Sequence, residues 1–427
     1  MARQSRWYSR PGRKCVYNET MAPRHFLFVV FSDSGHLNPV ISIAQYLESY
    51  GHEVRFFSLQ EDVSLRVGRA GLRGRCASSG VAAIAAPKPE AQRSVKLGQR
   101  VGNKSWLKWW TNAVLVQQVP AQVAALRSVV RERRPDVIVA DPLAYAAPVV
   151  AGLEGIPWAA VATGLQSIIS EGEDGATSSV YREIAPARER MLAALGVTLE
   201  FRGSDAWSPW LNTVFALEGL VSSGKRPDAL VVGPAVSLAG RGDERPFPFD
   251  KLPTDQPIVY IAFGSQFSHP PSVYEMFVAA LGPEEAFFVL AVKDLIDDPF
   301  VARLPPHVLV VDYAPQLAVL ERAAVMVSHG GANSVHECLT RGKPIVVVPL
   351  AYDQPLLAKL VERAGVGVGL DPAGLTVERC REVLMALIRP DAPERARARS
   401  LMEQAGNGSR RVAELLVSLA EARAQPL

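Results

Sequence analysis

The sequence predicts an α/β protein with two doubly wound parallel-sheet domains facing each other across a cleft. Three observations predict it. Short apolar runs of strand length alternate with segments of helical spacing from residue 26 onward. A stretch rich in proline, glycine and charge interrupts this alternation at residues 238–256. The same alternation restarts at residue 258. With 427 residues the chain is long enough for two or three domains, and 48% hydrophobic with 21% charged residues is an ordinary globular balance.

Residues 1–21 are polar, basic and aperiodic and lack the apolar core of a signal peptide, so a disordered extension is expected ahead of the first strand. Residues 26–31 are aromatic and β-branched, as suits a buried strand. Asn38 is placed to cap the next helix, with Pro39 at its first position. Val40, Ile43, Ala44 and Leu47 keep helical spacing, and Gly51 stops the helix. Residues 54–58 form the next strand and complete a βαβ unit, which requires a parallel sheet. A helix near 105–126 carries Trp106, Trp109 and Trp110. Their shared helical face favours a core stripe over the lining of an apolar pocket. A strand at 136–141, a helix at 144–153 and a strand at 158–161 follow. The second half has strands at 258–263, 286–292, 308–311, 324–328 and 345–349, then a largely helical end from Val377. The expected units are 22–237, a linker at 238–256, 257–407, and a C-terminal helix at 408–427 that can pack back on the first unit.

The formal net charge of +3 is too small to argue for nucleic acid or an anionic membrane as partner, and no nucleic acid is expected. Cys15, Cys76, Cys338 and Cys380 are scattered without a C-x-x-C pair, so neither a zinc site nor a disulfide framework is expected, which fits a reducing cytoplasm. No run approaches the about 18–20 apolar residues that span a bilayer, so no integral membrane segment is expected. The basic runs at 131–134 and 395–399 read as solvated faces.

The densest chemical signal spans residues 312–354. Its centre is Ser328-His329-Gly330-Gly331-Ala332-Asn333-Ser334-Val335-His336-Glu337. A strand delivers the chain to a Gly-Gly turn, whose backbone freedom lets a ligand approach the main chain. A helix starting near Ala332 then offers free N–H groups and a positive dipole end, an anion site suited to a pyrophosphate. Asn333 and Ser334 can add donors. Glu337 lies one turn on, where a carboxylate can accept from ribose hydroxyls. Taken alone, Ser334-x-x-Glu337 is also a capping box, and His329 alone is more often structural. His329 and His336 lack a third ligand and the spacing of a metal site.

The surroundings decide. Tyr313-Ala314-Pro315-Gln316 stands upstream, and Gly342-x-Pro344, Pro349 and Asp353-Gln354 stand downstream. This ordered set resembles the nucleotide-sugar box of family 1 glycosyltransferases, which include plant secondary-product enzymes and bacterial enzymes that decorate natural products. The resemblance is dense over about 45 residues and loose over the whole chain. It implies the GT-B fold, two Rossmann-like parallel-sheet domains facing across a cleft. It implies that Tyr313, where tryptophan is usual, stacks on the base, and that Gln316 bonds the base edge. His329, Gly331, Asn333 and Ser334 hold the phosphates, Glu337 the ribose, and Asp353 and Gln354 the sugar. Leu357 stands where the family commonly has asparagine, which weakens any inference about the sugar. Gly264-Ser265 matches a loop near the β-phosphate, though a plain turn explains it too.

The family's catalytic histidine lies in a G-H-x-x-P segment, here Gly35-His36-Leu37-Asn38-Pro39. Histidine suits the removal of an acceptor hydroxyl proton as that oxygen attacks the anomeric carbon. The resemblance makes Asp141 the residue that orients it. A helix N-cap is the plain alternative for Asp141, and an ordinary loop histidine for His36. The expected activity is an inverting hexosyl transfer from a UDP- or dTDP-linked sugar to a hydroxyl of a hydrophobic small molecule, with no metal and no further cofactor. The alternatives are a same-fold epimerase, a lipid-intermediate transferase, or a non-catalytic transferase partner.

Overall fold

The computed structural model describes residues 22–81, 104–168, 176–221, 230–264, 269–351 and 353–424. The expected extension at 1–21, Cys15 and Ser265 lie outside the described residues, as does the side chain of Trp106.

The first sheet holds seven parallel strands. They are β1 (His25–Val30), β2 (Glu53–Ser58), β3 (Arg75–Ser78), β4 (Val137–Ala140), β5 (Trp158–Ala162), β8 (Leu211–Phe215) and β9 (Leu230–Gly233); β6 (Glu200–Arg202) and β7 (Asp205–Trp207) form a separate antiparallel hairpin. Their order is β3-β2-β1-β4-β5-β8-β9. The central strands are buried on both faces, which is why 26–31 is a continuous apolar run and not an alternating one. Phe28 sits between Phe56 and Val139 in register.

The second sheet holds β10 (Ile258–Ala262), β11 (Phe287–Ala291), β12 (Val308–Val311), β13 (Val325–Ser328), β14 (Ile345–Val347) and β15 (Gly367–Gly369), in the order β12-β11-β10-β13-β14-β15. In both sheets the order reverses beside the first strand, between β1 and β4 and between β10 and β13. Each reversal opens a crevice at the carboxyl ends of the strands. The final helix, Gly408–Ala424, returns to the first domain, where Val412, Ala413, Leu416 and Ala420 join the core around Phe28 and Leu47.

Several elements differ from the sequence reading. The first helix runs Ser34–Ser49 with Asp33 at its cap position, so Gly35 and His36 lie in its first turn and Pro39 inside it. Asn38 is not the cap; its Nδ2 donates to Asp243 Oδ2 at 3.1 Å. The helix expected near 105–126 is Lys104–Asn112, a π-turn at Ala113–Gln117, and Val119–Glu132. One helical run, Lys108–Glu132, is long and apolar enough by length and composition to cross a bilayer, which the sequence reading did not anticipate. Its residues Val119, Val123, Leu126 and Val130 are buried in the first domain's core. Of the two tryptophans with described side chains, Trp109 is exposed, while Trp110 packs partly buried against the first domain's core and also lines the cleft. Nor is 395–399 wholly solvated, because Arg395 is buried and donates to the Ala324 carbonyl at 2.8 Å.

Candidate active site

A cleft of about 1080 Å³ lies between the domains, and both crevices open into it. On the first-domain wall, β1 delivers His36 and the neighbouring β4 delivers Asp141. The His36 Nδ1 lies 2.7 Å from Asp141 Oδ2. A carboxylate only accepts, so Nδ1 carries the proton and Nε2 is the ring's basic atom. The Asp141 Oδ1 accepts from Leu143 N–H at 2.9 Å, whereas the helix Ala146–Glu154 has Tyr145 at its cap position. Asp141 is therefore not a helix cap. Burial acts to lower the His36 pKa, but the charge and hydrogen bond of Asp141, helped by Asp33 and Asp205, outweigh it and raise the imidazole to about 9. Thr163 Oγ1 stands 3.4 Å from the same Nδ1.

The hairpin β6–β7 adds a second carboxylate. The Ala206 N–H donates to the Pro142 carbonyl at 2.9 Å, which ties the hairpin to the loop after Asp141. Asp205 thereby lines the cleft, and burial with the nearby Asp141 charge pushes it up to about 7.

On the opposite wall, β10 leads to Gly264 and β13 to His329. The helix Ala332–Thr340 follows, with Gly331 at its cap position and no side-chain cap. Its first-turn N–H groups are left for another acceptor. Gly264 has φ of 90°, and a Cβ there would lie 2.6 Å from the His329 ring. A Cβ on Gly331 would lie 2.7 Å from His329 Nε2. The left-handed φ of Gly264 favours glycine, a side chain at Gly331 would displace the imidazole, and the ring sits against both backbones. Burial pushes His329 down to about 4, so it is neutral near pH 7 and presents an N–H without a charge.

Glu337 does not cap this helix. One carboxylate oxygen accepts from Arg241 Nη1 at 2.5 Å and the other from Gln316 Nε2 at 2.7 Å. Gln316 also approaches Ser334 Oγ at 3.4 Å. The Tyr313 hydroxyl donates to Asp243 Oδ2 at 2.9 Å, and the Arg245 guanidinium lies 5.0 Å from its ring centroid. Asn333 Nδ2 donates to the Gly35 carbonyl at 2.6 Å, joining the second domain's helix to the turn that carries His36. Asp353 faces the first domain: a Cβ on Gly164 would lie 3.5 Å from its Oδ2, and burial pushes it up to about 6. The Gln354 amide oxygen is taken by the N–H groups of Leu350 and Ala351, at 2.7 and 2.9 Å. Leu357 is fully buried in the second domain's core, so its departure from the family pattern does not touch the cleft.

All the described candidate residues thus line one cleft. Sequence reasoning missed Thr163, Asp205, Arg241, Asp243 and Arg245. The last three stand in the break at 238–256, where the alternation of opposite charges in Arg241-Gly242-Asp243-Glu244-Arg245 was the available signal. It also missed that Val114 and Leu115 of the π-turn line the cleft.

Two family models match the chain, the erythromycin biosynthesis protein CIII-like N-terminal domain over residues 45–232 and its C-terminal domain over residues 278–418. The chain belongs to this family. It is a family 1 glycosyltransferase of GT-B fold. Among curated relatives, this glycosyltransferase is 25% identical to NDP-glycosyltransferase YjiC of Bacillus subtilis (strain 168), over 92% of the chain and 97% of the relative. It is 27% identical to the oleandomycin glycosyltransferase of Streptomyces antibioticus, over 94% and 92%. Its fold matches the crystal structure of the Streptomyces sp. SF2575 glycosyltransferase SsfS6 complexed with thymidine diphosphate. That match has a TM-score of 0.65 and 21% identity, covering 92% of this chain and 99% of the other.

Proposed function

We propose that this glycosyltransferase moves a hexose from a UDP- or dTDP-linked donor to a hydroxyl of an apolar small molecule, a natural product, with inversion at the anomeric carbon. One observation carries the reading: a single cleft holds the His36–Asp141 pair on one wall and an uncapped helix N-terminus beside a neutral histidine on the other. In this reading the acceptor hydroxyl gives its proton to His36 Nε2 as its oxygen attacks the anomeric carbon. Asp141 orients the ring and stabilises the imidazolium. The bond from the anomeric carbon to the diphosphate oxygen breaks on the far side. The departing charge falls on the N–H groups at Ala332 and on His329, so no metal is required. Attack and departure on opposite faces invert the configuration.

Tyr313 and Gln316 serve the base, Glu337 the ribose, and Asp353 the sugar. Asn333, held to Gly35, serves the phosphates through the position of its helix. An apolar acceptor is supported by Phe31, Trp110, Val114, Leu115 and Leu143 on the cleft wall near His36. A nucleoside diphosphate and a natural-product role are supported by the SsfS6 complex and the oleandomycin enzyme.

The test is nucleoside diphosphate release from a panel of UDP- and dTDP-sugars, with and without apolar alcohols and phenols, with the product's anomeric configuration read by NMR. Release from at least one donor, with an inverted product, is expected. Absence of release from every donor, or a retained configuration, overturns the proposal.

A further inference from the structure

The segment between the domains behaves as a strap and not as a spacer. Gln45 of the first helix fastens it: its Nε2 donates to the Gly240 carbonyl at 2.8 Å and its Oε1 accepts from Leu238 N–H at 3.0 Å. The Glu244 carboxylate closes the turn by accepting from the N–H groups of Arg241 and Gly242, at 2.7 and 2.9 Å. Gly242 has φ of 76°, and a Cβ there would lie 2.1 Å from the Arg66 carbonyl, so the strap is pressed against the first domain. From this anchored turn Arg241, buried to 7% exposure, reaches across to the second domain.

We infer that Arg241 is a positioning residue for donor recognition, holding the Glu337 carboxylate in the orientation that reads the ribose. This rests on the donor reading of Glu337 given above. The geometry is specific. Each Glu337 oxygen takes one fixed donor, Arg241 on one side and Gln316 on the other. A carboxylate oxygen has two lone pairs, so each keeps one acceptor position for a ribose hydroxyl. The guanidinium cannot swing freely, because its Nε lies 3.5 Å from Asp243 Oδ1. Asp243 in turn accepts from the Tyr313 hydroxyl, so the strap sets the base-stacking ring and the ribose carboxylate together. A carboxylate held by Gln316 alone would be free to rotate about that contact, which turns acceptors away from the ribose.

The experiment measures dissociation constants by calorimetry for uridine diphosphate, thymidine diphosphate and inorganic pyrophosphate on the full chain and its variants. Arg241→Met should weaken the nucleoside diphosphates by about tenfold or more and leave pyrophosphate within about twofold, the scale of one hydrogen bond to a charged group. Arg241→Lys should recover part of the loss. In a Glu337→Gln background, Arg241→Met should add little further loss, since the two residues act through one contact. Should Arg241→Met fail to unfold cooperatively, Arg241→Lys and the charge-neutral double variant carry the same comparison.

An equal loss for pyrophosphate would show direct contact with the phosphates and overturn the inference. Additive losses in the Glu337→Gln background, or unchanged nucleoside diphosphate affinity, would overturn it while leaving the donor reading in place. Absence of binding by the unaltered chain to either nucleoside diphosphate would overturn both.

Discussion

Asp141→Asn is the substitution that separates a catalytic pair from a structural one. The His36–Asp141 contact is short, 2.7 Å, and the carboxylate side chain is only 5% exposed. It therefore belongs with hydrogen bonds to charged groups, worth about 1.5–3 kcal/mol each. If that interaction strengthens only as the imidazolium forms, its loss lowers kcat roughly 10–150-fold, at about 1.4 kcal/mol per decade. A second effect adds to this. An asparagine can turn its NH2 toward Nδ1 and drive the proton to Nε2, leaving no basic atom in the cleft; misplacing the tautomer carries the loss toward about 10⁴-fold.

The pH dependence gives the independent sign. His36 is a base only when deprotonated, and its pKa is raised to about 9, so the acid limb of kcat/KM should lie on the alkaline side of neutrality. Asp141 favours the charged ring, so removing its charge moves that limb down toward the ordinary histidine value of about 6.5. Asp33 and Asp205 remain and keep part of the rise. The assay is nucleoside diphosphate release across pH 6–10, beside donor affinity measured by titration. Donor affinity should hold, because the residues proposed to bind the donor lie in the other domain. A variant with an unmoved acid limb and a rate within about twofold of the original would refute the pairing as catalytic.

Four further outcomes follow from the same geometry. Leu357→Ala should cost about 2–5 kcal/mol in urea unfolding, because the side chain is fully buried; a change in sugar selectivity without a change in stability would place Leu357 at the site instead. Gly264→Ala should weaken donor binding by displacing the His329 ring, 2.6 Å from the added Cβ, and should cost about 1–2 kcal/mol of left-handed backbone strain; unchanged donor affinity would separate His329 from the donor. Turnover should persist in excess EDTA, and a loss restored by Mg²⁺ or Mn²⁺ would overturn the metal-free mechanism. Burial pushes both His269 and His336 down to about 4, so the unfolded chain takes up protons between pH 6.5 and 4 that the folded chain refuses. Stability should therefore fall on acidification through that window, by up to about 1.4 kcal/mol per pH unit for each histidine; His336→Gln should flatten the slope, and an identical slope in that variant would be the contrary result.

Much of the fold was legible because it is written in local pattern. The strand at 308–311 was read with its observed ends, and the other core strands within two residues, because buried parallel strands are uninterrupted apolar runs. The strands β3, β8, β9 and β15 and the hairpin β6–β7 were not read. β15 is Gly-Val-Gly, whose glycines admit close approach (a Cβ on Gly367 would lie 1.9 Å from the Ile345 carbonyl) and carry no strand propensity. The helix start at Ser34 was misread because Asn38-Pro39 imitates a cap followed by a first-turn proline. Glu337 and Ser334 imitate a capping box equally well, but the cap position falls on Gly331, and Arg241 from 96 residues away and Gln316 take the two Glu337 oxygens.

That misread proline explains a contact that local pattern cannot show. Inside a helix, the N–H four residues on would bond the Gly35 carbonyl, and that residue is Pro39, which has no N–H. The Gly35 carbonyl is left without an intrahelical donor beside His36, and Asn333 of the second domain supplies one at 2.6 Å. The proline that looks like a helix start is therefore what leaves an acceptor open beside His36. Asn333 lies in the first turn of the helix whose N-terminus faces the diphosphate in the proposed mechanism. This hydrogen bond is one of the contacts that join the two walls of the cleft. In the proposed mechanism the G-H-x-x-P segment then does two jobs at once: its histidine takes the proton, and its proline keeps open a carbonyl by which the two walls of the cleft are joined.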